Sequence, residues 1–121
     1  MIHHRILADE AIAVVQPSAP LSEDDFSKLS AAVDGYLETH EFLNGLLIHT
    51  KAFPGWENFG GMIGHFRFMK NHHERIKKVA LVSDSKMASL APRLAKHFVS
   101  ADVKSFEFDH CDDALAWLRS H

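Results

Sequence analysis

The period of the apolar positions changes several times along the chain, and each change marks a new element. Residues 2–7 and 10–16, the latter carrying Ile12, Val14 and Val15, predict two strands joined as a hairpin around Asp9. Pro17 and Pro20 close the second strand. Ser22 followed by Glu23, Asp24 and Asp25 predicts a helix start, with a hydroxyl cap and then acids where the helix dipole favours them. Phe26, Leu29, Val33, Tyr36 and Leu37 follow at helical spacing and form one buried stripe. The unbroken apolar run 45–48 fits a strand covered on both faces.

Phe53-Pro54-Gly55-Trp56 reads as a turn, and residues 57 to about 75 as a second helix. Phe59, Met62, Ile63, Phe66, Met69 and His73 share one of its faces, with Phe68 off that stripe. Residues 79–82 predict another buried strand. Residues 85–98 predict a helix through Met87, Leu90, Leu94 and Phe98, in which Pro92 imposes a kink or a late start. A last strand spans 103–108, and Asp109 caps a final helix packed through Ala114, Leu115, Trp117 and Leu118.

The resulting order, β-β-α-β-α-β-α-β-α, predicts an α/β fold. It has a mixed, mainly parallel five-stranded sheet, right-handed crossovers and about four helices. With 121 residues there is room for a single domain, residues 1–121. Ligands in such folds sit at the carboxyl ends of strands.

Composition narrows the function classes. At 46% hydrophobic and 24% charged residues, the chain has enough apolar material to fold. The single cysteine, Cys111, excludes an intrachain disulfide and a multi-cysteine metal site. No charge-free apolar run approaches the roughly 20 residues of a membrane span, so a soluble, cytoplasmic protein is expected. A net charge of −3 speaks against a general nucleic-acid binder. The charge is uneven: residues 18–41 hold six acids against Lys28, whereas Arg67, Lys70, Arg75, Lys77 and Lys78 face only Glu74 over 67–78.

Three stretches carry a family resemblance: Thr50-Lys51-Ala52-Phe53-Pro54-Gly55-Trp56-Glu57, residues 77–84, and Ala114-Leu115-Ala116-Trp117-Leu118. Together with the element order, they resemble the SpoIIAA-like family over nearly the whole chain. The resemblance implies a fold similar to STAS domains, the anti-sigma-factor antagonists, and to CRAL-TRIO lipid carriers. Antagonists carry a phosphorylatable Ser or Thr at the start of the second helix. Here that stretch is Phe53-Pro54-Gly55-Trp56-Glu57-Asn58-Phe59-Gly60, with neither residue. The resemblance therefore implies a scaffold and leaves the ligand open.

Candidate chemistry concentrates around the second helix. Its apolar residues exceed what one buried face requires. Phe53, Trp56, Phe59, Met62, Ile63 and Phe66 are the expected lining of an apolar pocket between helix and sheet, and core packing is the plainer account of Phe59, Ile63 and Phe66. Arg67, Lys70, Arg75, Lys77 and Lys78 are the expected contacts to an anionic membrane surface, against the plainer reading of a solvated basic face. A binding or regulatory domain without cofactor, catalytic residue or metal follows. The competing expectation is a protein-interaction module, such as a homodimer through Gly60 and Gly64, whose plainer role is tight helix packing. His65, His72 and His73 lack the accompanying ligands of a metal site. An acid–base pair of His49 and Asp84 is the one enzymatic arrangement that strand ends permit, and Cys111 is expected to be inert.

Overall fold

In the computed structural model, which describes residues 1–84 and 101–120, the hairpin consists of β1 (Ile2–Leu7) and β2 (Ile12–Pro17). The two pair antiparallel, with Ile2 opposite Pro17 and Leu7 opposite Ile12. β3 (Gly45–His49), β4 (Lys78–Ser83) and β5 (Asp102–Glu107) follow in parallel, in the spatial order β1-β2-β3-β4-β5. The α/β class and the mixed five-stranded sheet are as expected. Three α-helices belong to the described residues, and the helix expected over 85–98 lies outside them.

Each parallel step moves one place in the same direction. Right-handed crossovers therefore set α1 (Glu23–Leu37) and α2 (Phe59–His72) on one face of the sheet. Their Phe26, Leu29, Val33, Phe68 and Met69 share a core with Ala13, Val15, Leu46 and Val79. The alternate residues Ile12, Val14, Leu47, Ala80 and Val82 point to the opposite face, where Ala114 and Leu118 of α3 (Cys111–Arg119) cover them. Burial on both faces explains the unbroken apolar runs of β3 and β4.

Local chemistry sets the helix ends. The Ser22 hydroxyl accepts from the Asp25 N–H at 3.1 Å, and the Asp25 carboxylate accepts from the Ser22 N–H at 2.9 Å, a reciprocal cap. α2 begins at Phe59 rather than Glu57, and Asn58 caps it by accepting from the Gly61 N–H at 3.1 Å. The second helix ends at His72 and tightens into a short 3-10 turn over His73–Arg75. Asp109 is not the cap of α3: His110 holds that position without a side-chain bond.

α2 is rotated from the setting its hydrophobic stripe predicts. Gly61, Gly64, Phe68, Met69 and His72 are buried. Phe59 and Phe66, expected to turn inward as pocket lining or core, are 71% and 45% exposed, whereas Phe68 is 4% exposed. Close approach decides the matter. A Cβ at Gly61 would overlap the Leu21 carbonyl oxygen, and Gly64 backs onto Glu23 and Phe26. The two glycines let α2 press against the entry of α1, and that contact takes the inward face.

Candidate functional site

Between the two helices and the sheet lies an apolar cavity of about 130 Å³. Val15, Leu46, Ile48 and Leu81 of the sheet, Phe26 and Leu29 of α1, and Phe68 and Met69 of α2 form its walls. Phe53 closes one end, and Thr50, His65 and Ser83 bring the few polar groups. The Thr50 hydroxyl is already committed, donating to the Ala52 carbonyl at 2.8 Å. Phe53 both lines the cavity and is exposed, so its ring spans from the cavity wall to solvent.

Aromatic rings run without a break from this cavity to solvent. Phe68 lies 6.4 Å from Phe26, and Phe26 stacks on His65 at 4.8 Å. His65 meets Trp56 edge-on at 6.1 Å, and the Trp56 indole N–H donates to His65 Nδ1 at 3.1 Å. Trp56 in turn contacts Phe53 at 5.2 Å and Phe66 at 6.0 Å, both edge-to-face.

Of the six residues expected to line a pocket, Phe53 does so. Trp56 and Phe66 each stand one ring behind the wall, against His65 at 6.1 and 6.2 Å, as its outer rim. Phe59 projects to solvent, and Met62 and Ile63 are half-buried outside the lining. The sequence reading missed His65 and Met69 as lining residues and held a lining role for Phe68 only as an alternative to core. One signal pointed to His65 and Phe68: with Gly61, Gly64 and His72 they recur at steps of three and four and share a face.

The five bases expected to meet a membrane have separate tasks. Arg75 donates to the carbonyls of Glu41, Leu37 and His40 at 2.9, 3.2 and 3.1 Å, closing the end of α1. Lys78 donates to the carbonyls of Trp117 and Ser120 at 3.0 and 2.8 Å, doing the same for α3. Lys77 lies over the Phe42 ring, 5.3 Å from its centroid. Arg67 approaches Glu23 at 3.9 Å. Lys70 is exposed on α2 near its end.

The histidines also diverge. His65 faces the cavity. His72 is buried, with Nε2 2.7 Å from the Asp34 carboxylate and Nδ1 2.7 Å from the Phe68 carbonyl oxygen. His49 pairs its Nδ1 with the Gln16 side-chain amide at 3.3 Å and its Nε2 with the Phe108 carbonyl at 3.4 Å. Burial, with Asp112 beside it, pushes the Cys111 thiol above its ordinary value, and nearby Arg5 only partly opposes this. Among the described residues no helix is long and apolar enough to cross a membrane.

Comparison with known proteins bears on the scaffold. No curated protein matches the chain. Among solved structures, an uncharacterised protein of Shewanella loihica PV-4 with a SpoIIAA-like fold superposes with a TM-score of 0.72. It is 19% identical, and the match covers 98% of this chain and 92% of that one, so it speaks for the fold alone. The SpoIIAA-like family model matches residues 12–119, from the second strand through the last helix. The chain belongs to the SpoIIAA-like family.

Proposed function

We propose that this protein is a non-enzymatic binding domain that takes a small apolar ligand, or the apolar end of a lipid-like one, into the cavity beneath α1 and α2. The observation that carries the reading is a nearly all-apolar cavity joined to the surface by exposed aromatic rings. Exposed apolar patches of this kind mark binding sites more often than they are incidental. Size sets the ligand class. A cavity of about 130 Å³ approaches the roughly 150 Å³ that holds benzene in a dry apolar pocket. The bound part is accordingly a ring or a chain of about six carbons, and any longer tail leaves past Phe53.

Toluene in a thermal-unfolding titration tests this. A saturable rise in Tm that disappears in Leu29→Phe, whose added ring occupies the cavity, is the expected result. No rise, or an equal rise in the variant, overturns it. Native mass spectrometry of the purified protein adds an independent readout of any retained apolar molecule.

Phe59 and Phe66 support an extension of the same reading, in which the α2 ridge rests on a membrane surface beside Arg67 and Lys70. Flotation with phosphatidylglycerol vesicles, lost in the double variant Phe59→Ser, Phe66→Ser, checks it. The same exposed ridge also supports an interaction module, for instance a homodimer. A dimer that the double variant abolishes, with no vesicle binding, would assign the ridge to a protein partner. Gly61 and Gly64 already pack against α1, which leaves the ridge as the face for such a contact.

A further inference from the structure

The opposite face of the sheet carries a second, chemically different recess. α3 lies across β3, β4 and β5. Among the described residues, no helix lies across β1 on that side, and on β2 it is Ile12 and Val14 that share a core with Ala114 and Leu118 of α3. The step between β1 and α3 is a groove of about 390 Å³, three times the apolar cavity. That volume lies within the roughly 300–1,000 Å³ of small-molecule sites.

Strand register builds its floor in two rows. Arg5 is directly opposite Val14, and Val14 opposite Leu47, which gives a row with one cation at the edge and an apolar centre. His3 is opposite Gln16, whose amide reaches His49, which gives a polar row beside it. Cys111 and Leu115 of α3 form the wall. His49 is fixed in place, stacked on Phe108 at 4.5 Å and bonded at both ring nitrogens. Arg5 takes part in no ion pair or hydrogen bond among the described residues, while its field reaches Cys111. Asp112, on the helix side, pushes the Cys111 thiol up while Arg5, on β1, opposes it, so an anion entering the groove is favoured on the β1 side.

We propose that this groove binds a small organic carboxylate, its anion held by Arg5 with His3 and the Gln16 amide beside it, and its apolar body resting on Val14, Leu47 and Leu115. The planar guanidinium presents paired N–H donors that match a carboxylate. The apolar half of the floor rewards a ligand that is not a bare ion. This site is independent of the apolar cavity, which lies on the other side of the sheet.

The test is a ¹⁵N-HSQC titration of the full chain with benzoate, alongside benzyl alcohol and inorganic phosphate. Benzoate is expected to give saturable shifts at Arg5, Gln16, His49 and Leu115, with affinity at least about tenfold above both controls. Arg5→Gln, at an exposed strand position, should weaken benzoate by about tenfold or more. Leu115→Glu, which sets a carboxylate on the wall, should abolish binding. Equal affinity for benzyl alcohol removes the anion half of the proposal, and equal affinity for phosphate removes the apolar half. Unchanged affinity in Arg5→Gln, or benzoate shifts confined to Leu29 and Phe68, overturns it outright.

Discussion

The indole N–H of Trp56 donates to Nδ1 of His65 across 3.1 Å, which ties a surface ring to the wall of the cavity. Trp56 thus stands at the rim, in contact with Phe53 and Phe66, whereas Trp117 lies on the other face of the sheet beside Phe106. A ligand entering past Phe53 must disturb the first tryptophan and not the second. Toluene should therefore change the intrinsic fluorescence of the wild type and of Trp117→Phe, but not of Trp56→Phe. A change retained in Trp56→Phe would place the ligand elsewhere.

The packing of α2 on α1 predicts opposite outcomes for two glycines one turn apart. Gly61→Ala puts a methyl into the Leu21 carbonyl, a backbone group that cannot turn aside, and should destabilise by about 1–3 kcal/mol. Gly64→Ala meets Glu23 and Phe26 at 3.4 Å, an ordinary contact distance. The gain in helix propensity should leave it neutral or stabilised by up to about 1 kcal/mol. Urea unfolding of both variants checks the pair.

Asp25 gives a defined acid sensitivity. Burial pushes its carboxyl up, but the Ser22 N–H and the Met1 amine, 3.2 Å away, outweigh burial and hold it below the usual carboxylate value of 3.8. A depressed folded-state value means the stabilisation is fully present above pH 3.8 and is lost as pH falls through the folded value. Asp25→Asn should therefore be less stable than wild type at pH 6, with the gap closing toward pH 2. A gap constant over that range would show that charge is not the cause.

Cys111 reports on the groove. Because burial and Asp112 raise the thiol, alkylation by iodoacetamide at neutral pH should run slower than that of an exposed cysteine. Asp112→Asn should speed it, and Arg5→Gln should slow it further, since Arg5 is the group that opposes the rise. Indifference to Arg5→Gln would separate that guanidinium from the thiol it is inferred to face.

Some of this was legible in the residues alone. The hairpin, the start of α1 and the buried strands follow from Ser22 with its acids, from Pro17, and from the runs 45–48 and 79–82. All of these are local, because period, cap and turn chemistry act within a few residues. The aromatic surplus around Phe53 and Trp56 was also legible, and both rings are exposed.

Which face of α2 turns inward was settled only by tertiary structure. That choice depends on how closely the helix approaches Leu21, Glu23 and Phe26, about forty positions earlier in the chain. A hydrophobic stripe counts apolar side chains and takes no account of backbone clearance, so it put Phe59 and Phe66 inside and Phe68 outside. The bases went the same way: three residues apart in sequence, Arg75 and Lys78 were drawn to the carbonyl ends of two different helices. Element order is a property of neighbours along the chain, whereas the site is a property of neighbours in space.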